Sequence, residues 1–271
     1  MLEAAKTLNN GAGPDAVVVM GDFFDCFELS THEKDLRSRC GLGTELDSAA
    51  ARLTQLEALV EPNYKAQREV KLYAGTTDDG YMEPTNNTRC FYILGNHENR
   101  IYRAMQRDQT RGFLKAYLGA GVLQQRSLLE AIGMDGPPWH EIPYMQTLYL
   151  GNNAVQPKIA LTHDLGNVGM NAHHDAARVF GAMHSAIGHT HRLASATHKV
   201  NGVGYTSHML GWLGDASQQS YMPAVKMERE WAHGFGVATI GIGHCGIQAI
   251  PIQRQWDGTL SCCVDGKIVT G

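Results

Sequence analysis

Four short segments of this 271-residue chain place oxygen and imidazole donors directly behind apolar runs of strand type. Gly21-Asp22-Phe23-Phe24-Asp25 follows residues 16–20, and Gly95-Asn96-His97-Glu98 follows residues 90–94. Thr162-His163 follows residues 158–161, and Gly188-His189-Thr190-His191 follows residues 183–187. Short, continuous apolar runs read as buried parallel strands. Donor side chains collected at strand ends are what a metal cluster above an α/β sheet requires. The fold class expected is therefore α/β, with the chemistry at the carboxyl ends of strands.

Length fits one large domain spanning 1–271, with a helical and loop insertion at about 30–90. A formal charge of −4 leaves no basic footprint for long nucleic acid. A nucleotide substrate stays open, because metal ions supply positive charge locally. No apolar run approaches the ~20 residues of a membrane span. Met1-Leu2-Glu3-Ala4-Ala5 has neither the basic nor the apolar region of a signal peptide, so a cytoplasmic protein is expected. Six cysteines form no C-x-x-C pair and read as reduced thiols, with Cys26 a small packing residue.

Along the chain, residues 2–9 read as the last turns of a helix ended by Asn10-Gly11. Residues 26–45 are polar and irregular; Thr44 then offers an N-cap, and Leu46, Ala49, Leu53, Leu56 and Leu59 follow at helical spacing. Residues 74–88 collect Gly, Thr, Asp, Pro and Asn, which predicts a surface loop able to serve as a lid. Helices are expected at 98–118, 128–132 and about 170–180, with Pro137-Pro138-Trp139 turning the chain. Strands are expected at 146–150, 158–162, 183–187, 193–198, 203–207, 235–241, 245–252 and 259–263. Asp257-Gly258 and Asp265-Gly266 are hairpin signals. Strand–helix alternation followed by strands fits two packed sheets flanked by helices.

The four blocks, in this order over residues 21–191, resemble the calcineurin-like metallophosphoesterases, whose pattern is D-x-H, G-D-x-x-D, G-N-H-[D/E], H and G-H-x-H. Gly21 to Cys26, Gly188 to Arg192 and Trp231-Ala232-His233-Gly234-Phe235 make the chain most similar to phage and bacterial members. The resemblance implies a four-layer αββα sandwich and hydrolysis of phosphomonoesters or phosphodiesters by metal-activated water. It makes Asp22 the bridging ligand of two divalent ions, Asn96, His163 and His189 ligands of the second ion, and His191 a ligand of the first. Mn²⁺ is the ion expected, and Fe²⁺, Ni²⁺ or Zn²⁺ also suits such donors. His97 becomes the acid that protonates the leaving group, with Asp25 on its other ring nitrogen setting the tautomer. Arg100 and Arg192 are candidates to meet substrate phosphate. Each residue also has an ordinary reading: a turn or helix-start carboxylate for Asp22 and Asp25, a satisfied strand-end histidine for His163. The family carries His-Gly where this chain has His163-Asp164, so Asp164 could crowd the ion or add charge beside it. Among the other histidines, His208 and His233 flank the Gly211–Gly214 and Trp231–Phe235 segments, and the tryptophan and phenylalanine read as core aromatics.

The D-x-H block is absent, since residues 1–20 contain no histidine. The resemblance places it at the end of a strand preceding residues 16–20, so the expectation is a truncated gene product whose first metal site is weakened. A start called too late, or a divergent member of the family, would leave the same gap. Two rival functions stand beside hydrolysis: an inactive relative that binds a phosphorylated ligand or partner, and a nuclease. The partner expected is a phosphorylated small molecule or nucleotide, with no membrane involvement.

Overall fold

A computed structural model describes residues 1–30, 41–65, 72–77, 83–84, 88–107, 127–134, 136, 138–153, 156–166, 169–215, 229–241 and 244–271. β-Branched Val17–Val19 forms β1, which pairs in parallel with β4, Cys90–Ile93; β4 in turn pairs in parallel with β5, Trp139–Ile142. Sequence pattern does not predict a strand at 139–142. Pro138 ends the turn, and its carbonyl then takes the N–H groups of Arg89 and Cys90, which aligns Trp139 to continue as the neighbour of β4. Among the described residues β1 is an edge of this three-stranded sheet.

The second sheet has seven strands. They are β2 (Tyr73–Thr76), β3 (Glu83–Pro84), β6 (Thr147–Gly151), β7 (Ile159–Thr162), β8 (His184–Ile187), β9 (Leu193–Val200) and β10 (Val203–Leu210), in the order β3-β2-β6-β7-β8-β10-β9. β7, β8 and β10 run parallel to one another. The expected 74–88 loop is corrected at two places: Tyr73–Thr76 fills an antiparallel ladder with β6, and Glu83–Pro84 pairs antiparallel with Tyr73 and Ala74. Pairing and the packing of Leu72 and Ala74 into the core override a turn-like composition. Residues 78–82 and 85–87 lie outside the described residues.

Alternation along β4 sets the layers. Cys90, Tyr92 and Leu94 pack with helix α2, Leu42–Lys65, and helix α3, Asn99–Gln106. Phe91 and Ile93 point the other way and pack with Leu148, Leu150, Ile159, Leu161 and Ala186 of the large sheet. Beyond that sheet, Ala172, Ala176 and Phe180 form one face of α5, Ala172–Phe180, against Ala160, Ile187 and Met209. The order is helices, sheet, sheet, helix. Short α4, Leu128–Ala131, is capped by the Ser127 hydroxyl, which accepts the Glu130 N–H at 3.0 Å.

Several ends differ from expectation. α1, Leu2–Lys6, breaks at Thr7 and is followed by a short turn, Leu8–Gly11, in which Asn9 and Asn10 are left-handed at φ 52° and 59°. α2 starts two residues before Thr44: the Leu42 N–H donates to the Glu28 carboxylate at 3.0 Å, so a side chain from the preceding loop, not Thr44, caps it. Its buried Leu42, Leu46, Ala49, Leu53, Leu56 and Leu59 form much of the first core. Residues 108–118 of the expected 98–118 helix lie outside the described residues.

The C-terminal part adds β11 (Gly234–Ile240) paired with β12 (Cys245–Pro251), then β13 (Gln253–Arg254), β14 (Leu260–Val264) and β15 (Lys267–Thr270). Both hairpin signals fall at turns, and Ile250 and Val264 bury against Ala4 of α1. No described helix is long and apolar enough to cross a membrane. Cys26, Cys90, Cys245, Cys262 and Cys263 are free thiols.

Candidate functional site

The ends of β1, β4, β7 and β8 meet at one edge of the paired sheets, carrying Asp22, Asn96 and His97, His163, and His189 and His191 respectively. Glycine makes the approach possible. Gly21 has φ 81°, and a Cβ there would overlap the His163 ring and Gly95. A Cβ on Gly95 would overlap Asp22. Asp22, His189 and His191 themselves sit at φ 51°, 55° and 55°. Left-handed backbone costs a residue with a Cβ about 1–2 kcal/mol. Such strain collects where side chains must be aimed at a ligand.

Four lone-pair donors converge. Asn96 Oδ1 lies 2.7 Å from His189 Nδ1 and 3.1 Å from His163 Nε2, and the two ring nitrogens are 3.2 Å apart. Asp22 Oδ2 lies 3.3 Å from His163 Nε2 and 3.8 Å from His189 Nδ1. The Met20 carbonyl can only accept, and it stands 2.7 Å from His163 Nδ1, so that nitrogen carries a proton, and once Nε2 gives up its own proton His163 aims a lone pair into the cluster. As placed, the Asn96 oxygen faces only acceptors; with the amide turned, its nitrogen would face Asp22 Oδ2 at 3.1 Å and both rings.

A divalent ion bound here would remove this conflict without turning the amide. Ligands bound at about 2.0–2.2 Å stand roughly 3.0–3.5 Å apart at tetrahedral or octahedral angles, close to the separations above. Among the described residues, Asp22, His163 and His189 are the one set of three acidic, histidine or cysteine side chains with ligand atoms within 4.8 Å of one another. The donor set fits a first-row divalent ion.

Burial works against charge at both partners of the Asp22–His163 pair. It acts to raise the Asp22 pKa, but hydrogen bonds from His163 and His189 and the charges of His163 and His97 hold it well below the carboxylate range. It acts to lower His163, but the hydrogen bond and charge of Asp22 push it up to about 9. In the metal-free chain the raised histidine therefore stabilises the fold fully below its ordinary value of 6.5, and that contribution is lost as pH rises through about 9. An ion must displace the proton on His163 Nε2. The apparent association constant for Mn²⁺ should thus climb about tenfold per pH unit between pH 6 and 8. Calorimetric titration at three pH values checks this, and a pH-independent affinity would contradict it.

His97 borders the cluster. Its backbone N–H donates to Asp22 Oδ1 at 3.0 Å, its Nε2 lies 4.0 Å from Asp22 Oδ2, and its Nδ1 lies 3.0 Å from Asp25 Oδ1. Arg100 Nη1 donates to the Asp25 carbonyl at 2.7 Å and stands 3.5 Å from its carboxylate. Arg192 pairs with Glu230. Both candidate phosphate-binding arginines are thus held by acidic residues.

His191 is set apart from the convergent donors. Its ring stacks on Trp212, centroids 5.3 Å apart at 17°, and meets Trp231 edge-on at 4.3 Å. Burial draws its pKa down to about 4 against the opposing charge of Asp22. Trp231 is therefore partly a wall for His191 rather than only core. Asp164 does not crowd the cluster: its carboxylate accepts Tyr144 Oη at 3.0 Å and the Gly166 N–H at 2.7 Å. His208 is buried, with its Nδ1 2.7 Å from Ser195 Oγ, and His233 stacks on Trp212, centroids 5.4 Å apart.

Glu98 closes its motif, and sequence alone assigns it no role. It is fully buried. Its Oε1 accepts the N–H groups of Phe23 at 2.6 Å and Phe24 at 3.0 Å and the Tyr92 hydroxyl at 2.8 Å; Oε2 accepts those of Asp22 at 2.9 Å and Gly95 at 2.8 Å. One carboxylate therefore ties the loop after β1 to the loop after β4. No protein-family model matches the chain, and no curated protein matches it.

Proposed function

We propose that this protein is a metal-dependent phosphoesterase, acting on a phosphomonoester or phosphodiester of a small molecule or nucleotide. The observation that carries the reading is the convergence of Asp22, Asn96, His163 and His189 beside a His97–Asp25 pair. The helix–sheet–sheet–helix layering is in keeping with the metallophosphoesterase sandwich that the motifs resemble. Asp22 Oδ2, Asn96 Oδ1, His163 Nε2 and His189 Nδ1 would hold the ion, Mn²⁺ by preference. Such an ion, when bound, supplies charge neutralisation on phosphoryl oxygens and acidifies water. Asp25 fixes the His97 tautomer, so that Nε2 faces the cluster and delivers a proton to the leaving oxygen. With no basic surface implied by a net charge of −4, a long nucleic acid is the disfavoured substrate.

Chelator-stripped protein supplied with Mn²⁺ should hydrolyse p-nitrophenyl phosphate or its bis ester, and Asp22→Asn should not. Retained Mn²⁺ binding with no turnover of either would select the second reading, a binding protein for phosphorylated ligands. That rival draws on the place of His191, walled by two tryptophans and outside the set of converging donors. The same geometry predicts metal load. After dialysis this chain should retain closer to one ion than two, measured by elemental analysis, and two tightly held ions would require donors beyond the four that converge.

A further inference from the structure

Asp25 is held at three points, and one of the residues holding it belongs to no motif. Glu45, in the first turn of α2, accepts the Asp25 N–H, and also the Cys26 N–H at 2.9 and 3.2 Å to its two oxygens. Cys26 follows at φ 49°, a left-handed turn that leaves successive N–H groups on one side of the loop. Arg100 takes the opposite end of the same residue through the Asp25 carbonyl. The exchange is reciprocal, since Glu28 of the loop receives the first free N–H of α2 at Leu42. Burial raises the Glu45 pKa, with the two N–H donors pulling it back. A carboxylate kept in such a place is costly unless its hydrogen bonds matter.

We infer that Glu45 is a positioning residue for His97, acting through Asp25. By fixing the backbone on the N–H side while Arg100 fixes the carbonyl side, it holds Asp25 Oδ1 within 3.0 Å of His97 Nδ1. This deepens the phosphoesterase reading and rests on His97 as proton donor. Removing Glu45 frees the loop to shift by a fraction of an ångström, which loosens the Asp–His contact without touching the metal donors. Geometry at a proton-transfer pair is that sensitive.

The test uses the metal-loaded chain and aryl phosphates of graded leaving-group pKa. Glu45→Ala should lower kcat about tenfold on phenyl phosphate, well short of the loss expected from removing the acid itself. It should change turnover of p-nitrophenyl phosphate less than about twofold, with KM and bound metal unaltered. Glu45→Gln keeps one acceptor oxygen and should recover part of the loss; it also carries the test should the alanine variant fail to fold. In an Asp25→Asn background the Glu45 effect should vanish, as coupled residues do in a double-mutant cycle. Equal loss on good and poor leaving groups, or an effect additive with Asp25→Asn, would reduce Glu45 to a loop brace and overturn the inference. Should the wild-type chain hydrolyse nothing, the phosphoesterase reading fails by itself. The Glu45 claim is then judged by imidazole NMR. The claim expects an exchange-protected Nδ1 proton on His97, 3.0 Å from Asp25 Oδ1; it should be lost in Glu45→Ala, and its persistence there would refute the claim.

Discussion

His97→Ala should lower kcat by about 10²–10⁴ on esters with poor leaving groups, the range a positioned general acid supplies. The loss should shrink as the leaving group improves, because an oxygen that departs readily as an anion needs no proton. Metal content should hold. The four converging donors do not include the His97 ring, whose Nε2 stays 4.0 Å from Asp22. A residue that only bound phosphate would instead give equal losses on all leaving groups. Elemental analysis of the same preparations separates a lost proton donor from a lost ion.

The second large effect falls on stability. Glu98→Ala removes the acceptor shared by four backbone N–H groups and the Tyr92 hydroxyl. Tyr92 is fully buried, and its phenol is pushed well above its usual pKa by burial and by the Glu98 charge, so it stays a donor throughout the working range. Each buried donor left unmet costs about 1–3 kcal/mol. Water entering the space left by the side chain offsets part of this, and a net loss of about 3–5 kcal/mol is expected. For a chain of this size that is a fall of roughly 6–20 °C in Tm. Metal affinity should drop in the same variant, because the Asp22 N–H loses its anchor and the left-handed turn that aims Asp22 is no longer held. Thermal unfolding with and without Mn²⁺ reads both effects. A variant that melts near the wild type would show that the loops are held by other contacts.

Much of the cluster of converging donors was legible because each donor follows an apolar run within its own short segment. Gly21-Asp22 and Gly95-Asn96 announce both the strand end and the close approach that follows it. What the sequence left hidden depends on contacts between distant segments. β5 reads as a turn because Pro137-Pro138 dominates its start, while its pairing needs β4 already in place. Tyr73–Thr76 carries a loop composition and is a strand only because β6 offers it a ladder. Glu45 looks like any exposed first-turn acid, and its role exists only when the loop after β1 folds against α2. The walls around His191 come from Trp212 and Trp231, twenty and more residues downstream, so spacing within Gly188-His189-Thr190-His191 could not separate His189, inside the cluster, from His191, beside it.

Anomalous diffraction from crystals grown with Mn²⁺, recorded at the manganese edge, tests the proposed metal centre directly. A single strong peak is expected about 2.0–2.3 Å from Asp22 Oδ2, Asn96 Oδ1, His163 Nε2 and His189 Nδ1, with the Asn96 oxygen turned toward it. A map with no peak among these four atoms, or one in which the Asn96 nitrogen faces Asp22 and both rings while manganese sits elsewhere, would contradict the account.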